Sequence, residues 1–335
     1  MTTSTRRGTP MTTADSIAIP AYAKINLAIR VGGPEPATSS HPGWHRIVSW
    51  MSPIALHDDV TVRCGGEHEI TWAADAPRPT PIDWPIEKDL VVRAIAAIER
   101  HLGRSLNVSV AVRKRIPVGG GLGGGSSDAA ATLLATNELC RLGLDARTLR
   151  HIGATLGSDV PFFIDDDATH DRALAAMPRS AIVADFGEVV RRVPTPVDDL
   201  LLVVPPFGCD TRAVYRAFDA TPGALQRFDV PAESCDMQFV AERAASFADV
   251  PINVKFNDLF LAACAAQPAL GPFVAALRAA LARHAPTARF TMTGSGSTLL
   301  IVGASDATAL AGELADNTAT RDVVIVPTRT LARVS

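Results

Sequence analysis

The stretch "RKRIPVGGGLGGGSSDAAATLLATN", residues 113–137, sets six glycines in the seven positions from Gly119 to Gly125, with Leu122 the one interruption. Ordering so many glycines costs much backbone entropy, so the run belongs where backbone N–H groups must approach something closely. Residues 119–124 satisfy GxGxxG, but a run this rich in glycine meets that pattern easily. A dinucleotide loop also needs a buried parallel strand before it and a second strand with an acidic tip after it. Here "SLNVSVAVRKRIP" alternates like a half-buried antiparallel strand, and another helix follows the first. A Walker loop needs GxxxxGK[ST], and no lysine follows these glycines. What remains is anion binding: glycine N–H groups turned inward around phosphate, and the positive end of a helix from Ser126 to Leu142 aimed at the same place. Ser126 and Ser127 are expected to cap that helix and to reach a phosphate or Mg²⁺.

Working outward, "SIAIPAYAKINLAIRV" (16–31) predicts one or two strands with Lys24 inside, and "EKDLVVRAIAAIERHLG" a helix stopped by Gly103. "DARTLRHIGATLG" predicts a helix capped by Asp145 and ending at Gly157. "SDVPFFI" then reads as the start of a strand, residues 165–180 as an inserted surface loop or short helix, and "AIVADFGEVVRRV" as a strand. "TPVDD" is the expected linker. Beyond it lie strands at "LLLVVPP", "ARFTMT", "STLLIVG" and "DVVIVP", with helical runs at 236–247, 256–266, 270–284 and 305–315. Strands and helices mixed without a strict βα repeat predict an α+β fold.

At 335 residues the chain has room for two domains. Its formal charge of −3 argues against general nucleic-acid affinity. Five scattered cysteines without a CxxC pair indicate neither a disulfide framework nor a zinc knuckle, and fit a reducing cytoplasm. His41 and His45 are spaced i, i+4, but Pro42-Gly43 breaks any helix between them, so a metal pair is not expected. No apolar run approaches a membrane span. Residues 1–16 are expected to be a disordered tail. Only four lysines, Lys24, Lys88, Lys114 and Lys255, stand against 28 arginines. A lysine kept in such a chain suggests need of a compact point charge.

At these residues a family resemblance emerges. "PVGGGLGGGSSDAAA" resembles the phosphate-binding motif P-x-x-x-G-L-[GSA]-S-S-[AS] of the GHMP small-molecule kinases. "AYAKINLAIRV", "GSDVPFFI" and "TGSGSTLLIV" resemble three further segments of that family in the right order, so the likeness runs from about residue 18 to near the end. It implies a ribosomal protein S5 domain 2-like N-terminal ATP-binding domain (17–194), a ferredoxin-like C-terminal domain (195–335) and an active site in the cleft between them.

It further implies phosphoryl transfer from ATP to an alcohol. Asp159 matches the catalytic aspartate and Lys24 the lysine paired with it; Asn26, on the same strand face, would bind substrate. Pro117, Gly119, Gly120, Gly121, Leu122, Gly123, Gly124, Gly125, Ser126 and Ser127 would cradle the phosphates, with Mg²⁺ held by them and by Ser127. Asp89, Leu90 and Lys114 align with the adenine pocket, although Asp89 stands where asparagine is common. Trp44 and Tyr215 align with two rings that sandwich a cytosine whose edge His45 would bond, and Gly294, Ser295 and Gly296 form the C-terminal glycine motif. The expected acceptor is a small cytidine-bearing alcohol, with no nucleic-acid or membrane partner, and the expected state a monomer or weak homodimer. The rival expectations are a GHMP kinase for homoserine, a mevalonate derivative or a sugar, and a non-catalytic nucleotide sensor on the same fold; retention of both Lys24 and Asp159 argues against the sensor.

Overall fold

A computed structural model describes residues 15–166, 177–196, 198–221, 237, 241–242, 257–304 and 307–331 of the protein. Its first sheet is built on two long antiparallel partners, β1 (Ser16–Pro34) and β2 (His45–Cys64). Along its other edge β2 pairs with β4 (Val108–Lys114) and then with β5 (Ala181–Asp185), so one bent strand organises the whole sheet. β3 (Glu69–Trp72) lies parallel to β4, and β6 (Val189–Arg192) closes the far edge. The glycine loop therefore follows a strand held antiparallel to β2, as its alternation predicts.

The burial of β1 changes along its length. It alternates from Ser16 to Tyr22, then Ala23 to Ile29 are all buried. An alternating strand has one wet face, and a continuously buried one is covered on both. Helix α2 (Gly124–Leu139) packs on this region of β1, while Ala23, Ile25 and Leu27 join an apolar cluster with Leu200, Leu202 and Leu300 of the second sheet. Lys24 and Asn26 lie inside that covered stretch.

Helices α1 (Leu90–Leu102) and α3 (Ala146–Ala154) complete the layer with α2. α1 ends at Gly103 in the left-handed region (φ 66°), and Asp145 caps α3 by accepting from the Thr148 N–H. The second sheet has the order β10 (Val324–Arg329), β7 (Asp199–Val204), β9 (Leu299–Val302), β8 (Arg289–Met292), antiparallel throughout. Numbered within this half the order is 4-1-3-2, which is the ferredoxin-like arrangement. Among the described residues four further helices go with it: α4 (Thr211–Ala220), α5 (Phe260–Ala266), α6 (Leu270–His284) and α7 (Ala307–Asp316). The architecture is α+β.

Several expected elements are corrected. α2 starts at Gly124, two residues before Ser126, and stops at Leu139, before Gly143. Residues Val160–Phe163 form a 3₁₀ turn rather than a strand, with Pro161 near its start. "AIVADFGEVVRRV" is a hairpin of β5 and β6, because Asp185 (φ 60°) and Gly187 (φ 103°) reverse the chain. Ser16 begins β1 opposite Arg63, so it is not tail; residues 1–14 lie outside the described residues. Asp165 is no surface residue: it is buried against Arg179, whose guanidinium donates to it at 2.8 Å. Residues 167–176 and most of 236–247 lie outside the described residues.

Candidate active site

The glycine loop has an alternating backbone. Gly119, Gly121 and Gly123 have φ of 72°, 76° and 71°, whereas Gly120 and Leu122 between them do not enter the left-handed region. Its carbonyls turn toward the protein: Gly120 O accepts from Thr298 N (3.3 Å), Gly121 O from Lys24 Nζ (3.0 Å), and Leu122 O from Lys24 N (2.9 Å). In a trans peptide the N–H points opposite to the carbonyl, so the N–H groups of Gly121, Leu122 and Gly123 face away from those partners. Among the described residues they have no protein acceptor. The first N–H groups of α2 add to the same concave row, an anion nest at a helix N-terminus.

The glycines answer a second demand. A Cβ at Gly121 would collide with the Thr293 carbonyl, one at Gly120 would meet Thr298 Oγ1 and one at Gly123 the Lys24 side chain. The back of the loop thus packs directly on the Thr293–Thr298 turn. Gly294 and Ser295 of that turn line the central cavity; Gly296 (φ 90°) does not line it, and a Cβ there would meet Met292 and Cys209.

Lys24, the loop and Asp159 meet in one cavity of about 300 Å³, which Ser126 also lines. Lys24 Nζ stands 3.4 Å from Asp159 Oδ2 and donates to Asn26 Oδ1 at 2.6 Å. The lysine side chain is 4% exposed and the aspartate 27%, so the carboxylate is the member open to a ligand. Two unit charges about 4 Å apart attract by about 4 kcal/mol at an effective dielectric near 20, enough to fix the pair's geometry. Asn26 is occupied by the protein: its Nδ2 donates to Ser49 Oγ (2.7 Å), and its Oδ1 accepts from Lys24 and Thr293. It aims Lys24, and it also lines the central cavity, with one Nδ2 N–H beyond the bond to Ser49. Ser127 is likewise corrected. It is buried and its hydroxyl donates to Tyr22 O (2.7 Å), because the earlier helix start turns it inward, so Ser126 is the hydroxyl facing the cleft. Gly187 lets the β5–β6 turn abut the Ser158 carbonyl, where any side chain would collide.

Two cavities flank this one. On the loop's other side, about 150 Å³ is lined by Pro117, Gly119–Gly125, Asp89, Lys114 and Trp84. Asp89 caps α1 through the Val91 N–H and accepts from Trp84 Nε1 at 2.8 Å, so both its oxygens have protein donors. Leu90 does not line this cavity; it packs against Gly125. Lys114 lines it but is held 2.7 Å from both Asp58 and Asp128 in a buried triad. Its ammonium secures the floor under the loop, a role the sequence reading missed because Asp58 lies 56 residues away.

On the opposite side a cavity of about 610 Å³ is lined by Trp44, His45, Phe186, Arg212 and Tyr215. Trp44 is 55% exposed. Phe186 stacks on His41 (centroids 4.4 Å) and meets Trp44 edge-on at 6.1 Å, an aromatic wall that the sequence reading did not include. His45 Nε2 lies 2.9 Å from Asp219 Oδ1, and its ring 5.0 Å from Tyr215. Burial, with the Asp159 carboxylate adding to it, pushes the Tyr215 phenol well above its usual range, so it stays an O–H donor. Tyr215, Thr211, Ser158 and Ile47 line both this cavity and the central one.

Residues 89–166 match the family model of the GHMP kinases N terminal domain. A 4-diphosphocytidyl-2-C-methyl-D-erythritol kinase of Heliobacterium modesticaldum (strain ATCC 51547 / Ice1) is 34% identical over 299 residues, covering 86% of this chain and 87% of the relative. Another, of Aromatoleum aromaticum (strain DSM 19018 / LMG 30748 / EbN1), is 32% identical over 296 residues, covering 86% and 84%. A crystal structure of 4-(cytidine 5'-diphospho)-2C-methyl-D-erythritol kinase superposes with TM-score 0.65 at 25% identity, covering 95% of this chain and all of that one. The L. major mevalonate kinase, at 14% identity and TM-score 0.60, shares the fold. With relatives so similar over most of its length, and the glycine loop, lysine and aspartate gathered in one cleft, the chain belongs to the 4-diphosphocytidyl-2-C-methyl-D-erythritol kinase family of the GHMP kinases.

Proposed function

We propose that the chain is the small-molecule kinase that transfers the γ-phosphoryl group of ATP to the 2-hydroxyl of 4-diphosphocytidyl-2-C-methyl-D-erythritol, giving the 2-phosphate and ADP in nonmevalonate isoprenoid biosynthesis. The observation that carries this reading is the series of three connected cavities. The loop cavity shares Gly121 and Gly123 with the central one, and the central one shares Tyr215 and Thr211 with the aromatic one. Connected in this order, the cavities offer room for a nucleotide donor, a reacting hydroxyl and an aromatic-lined base along one cleft.

In this reading the free N–H row from Gly121 to Ser126 binds the phosphates, and Asp89, Trp84 and Lys114 border the adenine end. Magnesium arrives with the ATP phosphates as part of the substrate. Among the described residues no group of three or more His, Cys, Asp or Glu side chains gathers to hold a metal, and Ser126, which lines the central cavity, would offer it a hydroxyl. Asp159 orients the acceptor hydroxyl and takes its proton as the oxygen bonds to the γ-phosphorus and ADP leaves. Lys24, anchored by Asn26 and the Gly121 carbonyl, holds Asp159 and offsets charge on the moving phosphoryl group. Trp44 and Tyr215 clasp the cytosine, where flat rings gain contact area at little ordering cost. No helix of the described residues is long and apolar enough to cross a membrane, and we place the reaction in the cytoplasm, where ATP is supplied.

ADP release measured with this substrate and, separately, with homoserine, mevalonate and galactose tests the reading. Turnover confined to the cytidine substrate is expected; turnover on another acceptor and not on it would assign a different GHMP kinase, and ATP binding without any turnover would assign a sensor.

A further inference from the structure

His45 is 4% exposed, yet it lines the aromatic cavity, and a carboxylate holds one of its two nitrogens. Asp219, at the end of α4, accepts from Nε2 at 2.9 Å. An ionised carboxylate can only accept, so Nε2 must carry the proton, and in the neutral imidazole Nδ1 is then a lone-pair acceptor. Tyr215 at 5.0 Å and Phe218, edge-on at 6.1 Å, confine the ring. Among the described residues Nδ1 has no protein partner.

We infer that Asp219 is a positioning residue for base selection: it fixes His45 as the Nε2–H tautomer, so that Nδ1 accepts from the exocyclic amine of a 4-aminopyrimidine and rejects a 4-oxopyrimidine. The inference rests on the proposal above that this cavity holds the base. Cytosine presents an N–H donor at position 4, whereas uracil presents a carbonyl, which would set lone pair against lone pair at a buried imidazole. A site built to pair with a donor discriminates strongly against an analogue lacking it, because its own buried group is left unpaired. The aromatic clasp alone grips either base, since both offer the same flat face. On this account Trp44 and Tyr215 supply affinity, and the Asp219–His45 pair supplies the choice.

The test is binding of CDP and of UDP by calorimetry, with saturating ADP present to fill the donor site. The wild type, Asp219→Ala and Asp219→Glu are compared, alongside long-range ¹H–¹⁵N NMR of the His45 ring with His45→Gln as the assignment control. The wild type is expected to prefer CDP by roughly 10²-fold and to show His45 protonated at Nε2. In Asp219→Ala the preference should fall to within about threefold as the tautomers mix, and Asp219→Glu should restore most of it. Equal affinity in the wild type, no binding of either nucleotide, a proton on Nδ1, or a preference unchanged in Asp219→Ala would each overturn the inference. Turnover of the methylerythritol substrate without CDP preference would sink this inference alone, whereas absent turnover would sink the proposed reaction.

Discussion

At the scale of single residues, the account turns on the separation of roles between Lys24 and Asp159. The lysine is locked by three protein acceptors, and the aspartate is the partner left open to a hydroxyl. Replacing Asp159 by Asn keeps the shape but removes the proton acceptor. We expect kcat to fall by roughly 10²–10⁴-fold while the ATP Kd, read by calorimetry, changes less than about threefold; near-normal kcat would remove Asp159 from the base role. Trp44→Ala acts at the other end of the cleft. Loss of a stacked ring worth about 1 kcal/mol beyond its area should raise the acceptor KM roughly tenfold and leave the KM for ATP in place, whereas equal effects on both would count against stacking. These two residues were legible in the sequence because short motifs carry them. Asn26 was legible as a position but not as a role, since its partners Ser49 and Thr293 lie 23 and 267 residues away. Phe186 and Trp84 left no local signal: each gains meaning only from the cavity wall it completes.

Among the elements, the β4–loop–α2 unit is the one under most constraint. Gly121→Ala would force a Cβ into the Thr293 carbonyl at a φ of 76°. We expect loss of about 1–3 kcal/mol of stability in urea unfolding, together with loss of measurable ATP binding. Beneath the loop, Lys114→Met would leave Asp58 and Asp128 buried without their shared cation, an arrangement that costs about 3–5 kcal/mol. Burial pushes the Asp128 carboxyl up to about 8 against the pull of Lys114, with Asp58 adding to the rise. A carboxyl raised above its unfolded value contributes stability in full below about pH 4, and that contribution fades as pH climbs toward 8. The melting temperature of the wild type should therefore fall from pH 5 to pH 8 more steeply than that of Asp128→Asn; parallel profiles would contradict the raised value. Alternation located β4, the Gly103 stop α1 and the Asp145 cap α3, although α3 ends at Ala154, short of Gly157. They misplaced the start of α2, because Gly124 and Gly125 are poor helix formers that join the helix only where the nest and the Ile116 and Leu90 contacts hold them.

For the whole molecule, the change of sheet between Arg192 and Asp199 supports the division we propose, 17–194 and 195–335. The two halves are not separate in packing, for Ile25, Val48 and Trp50 of the first share a core with Leu202 and Leu300 of the second. A second cluster, joining Ile29 and Ile47 to Val203 and Val214, carries Tyr215 to the cavity that Asp159 lines. No property of a single sequence could show this juncture, because it joins residues from opposite ends of the chain. The ordered motifs implied the cleft, and the register of β1 on β2 with the apolar seam between sheets explains why it closes there. The central claim is that this cleft phosphorylates one hydroxyl of one acceptor. Its most direct test is ³¹P NMR of the product formed from ATP and 4-diphosphocytidyl-2-C-methyl-D-erythritol, run beside Asp159→Asn. The account predicts a new phosphomonoester on the 2-oxygen in the wild type, and almost none in the variant over the same time. A phosphate on another hydroxyl, free phosphate from ATP alone, or equal product from both proteins would contradict it.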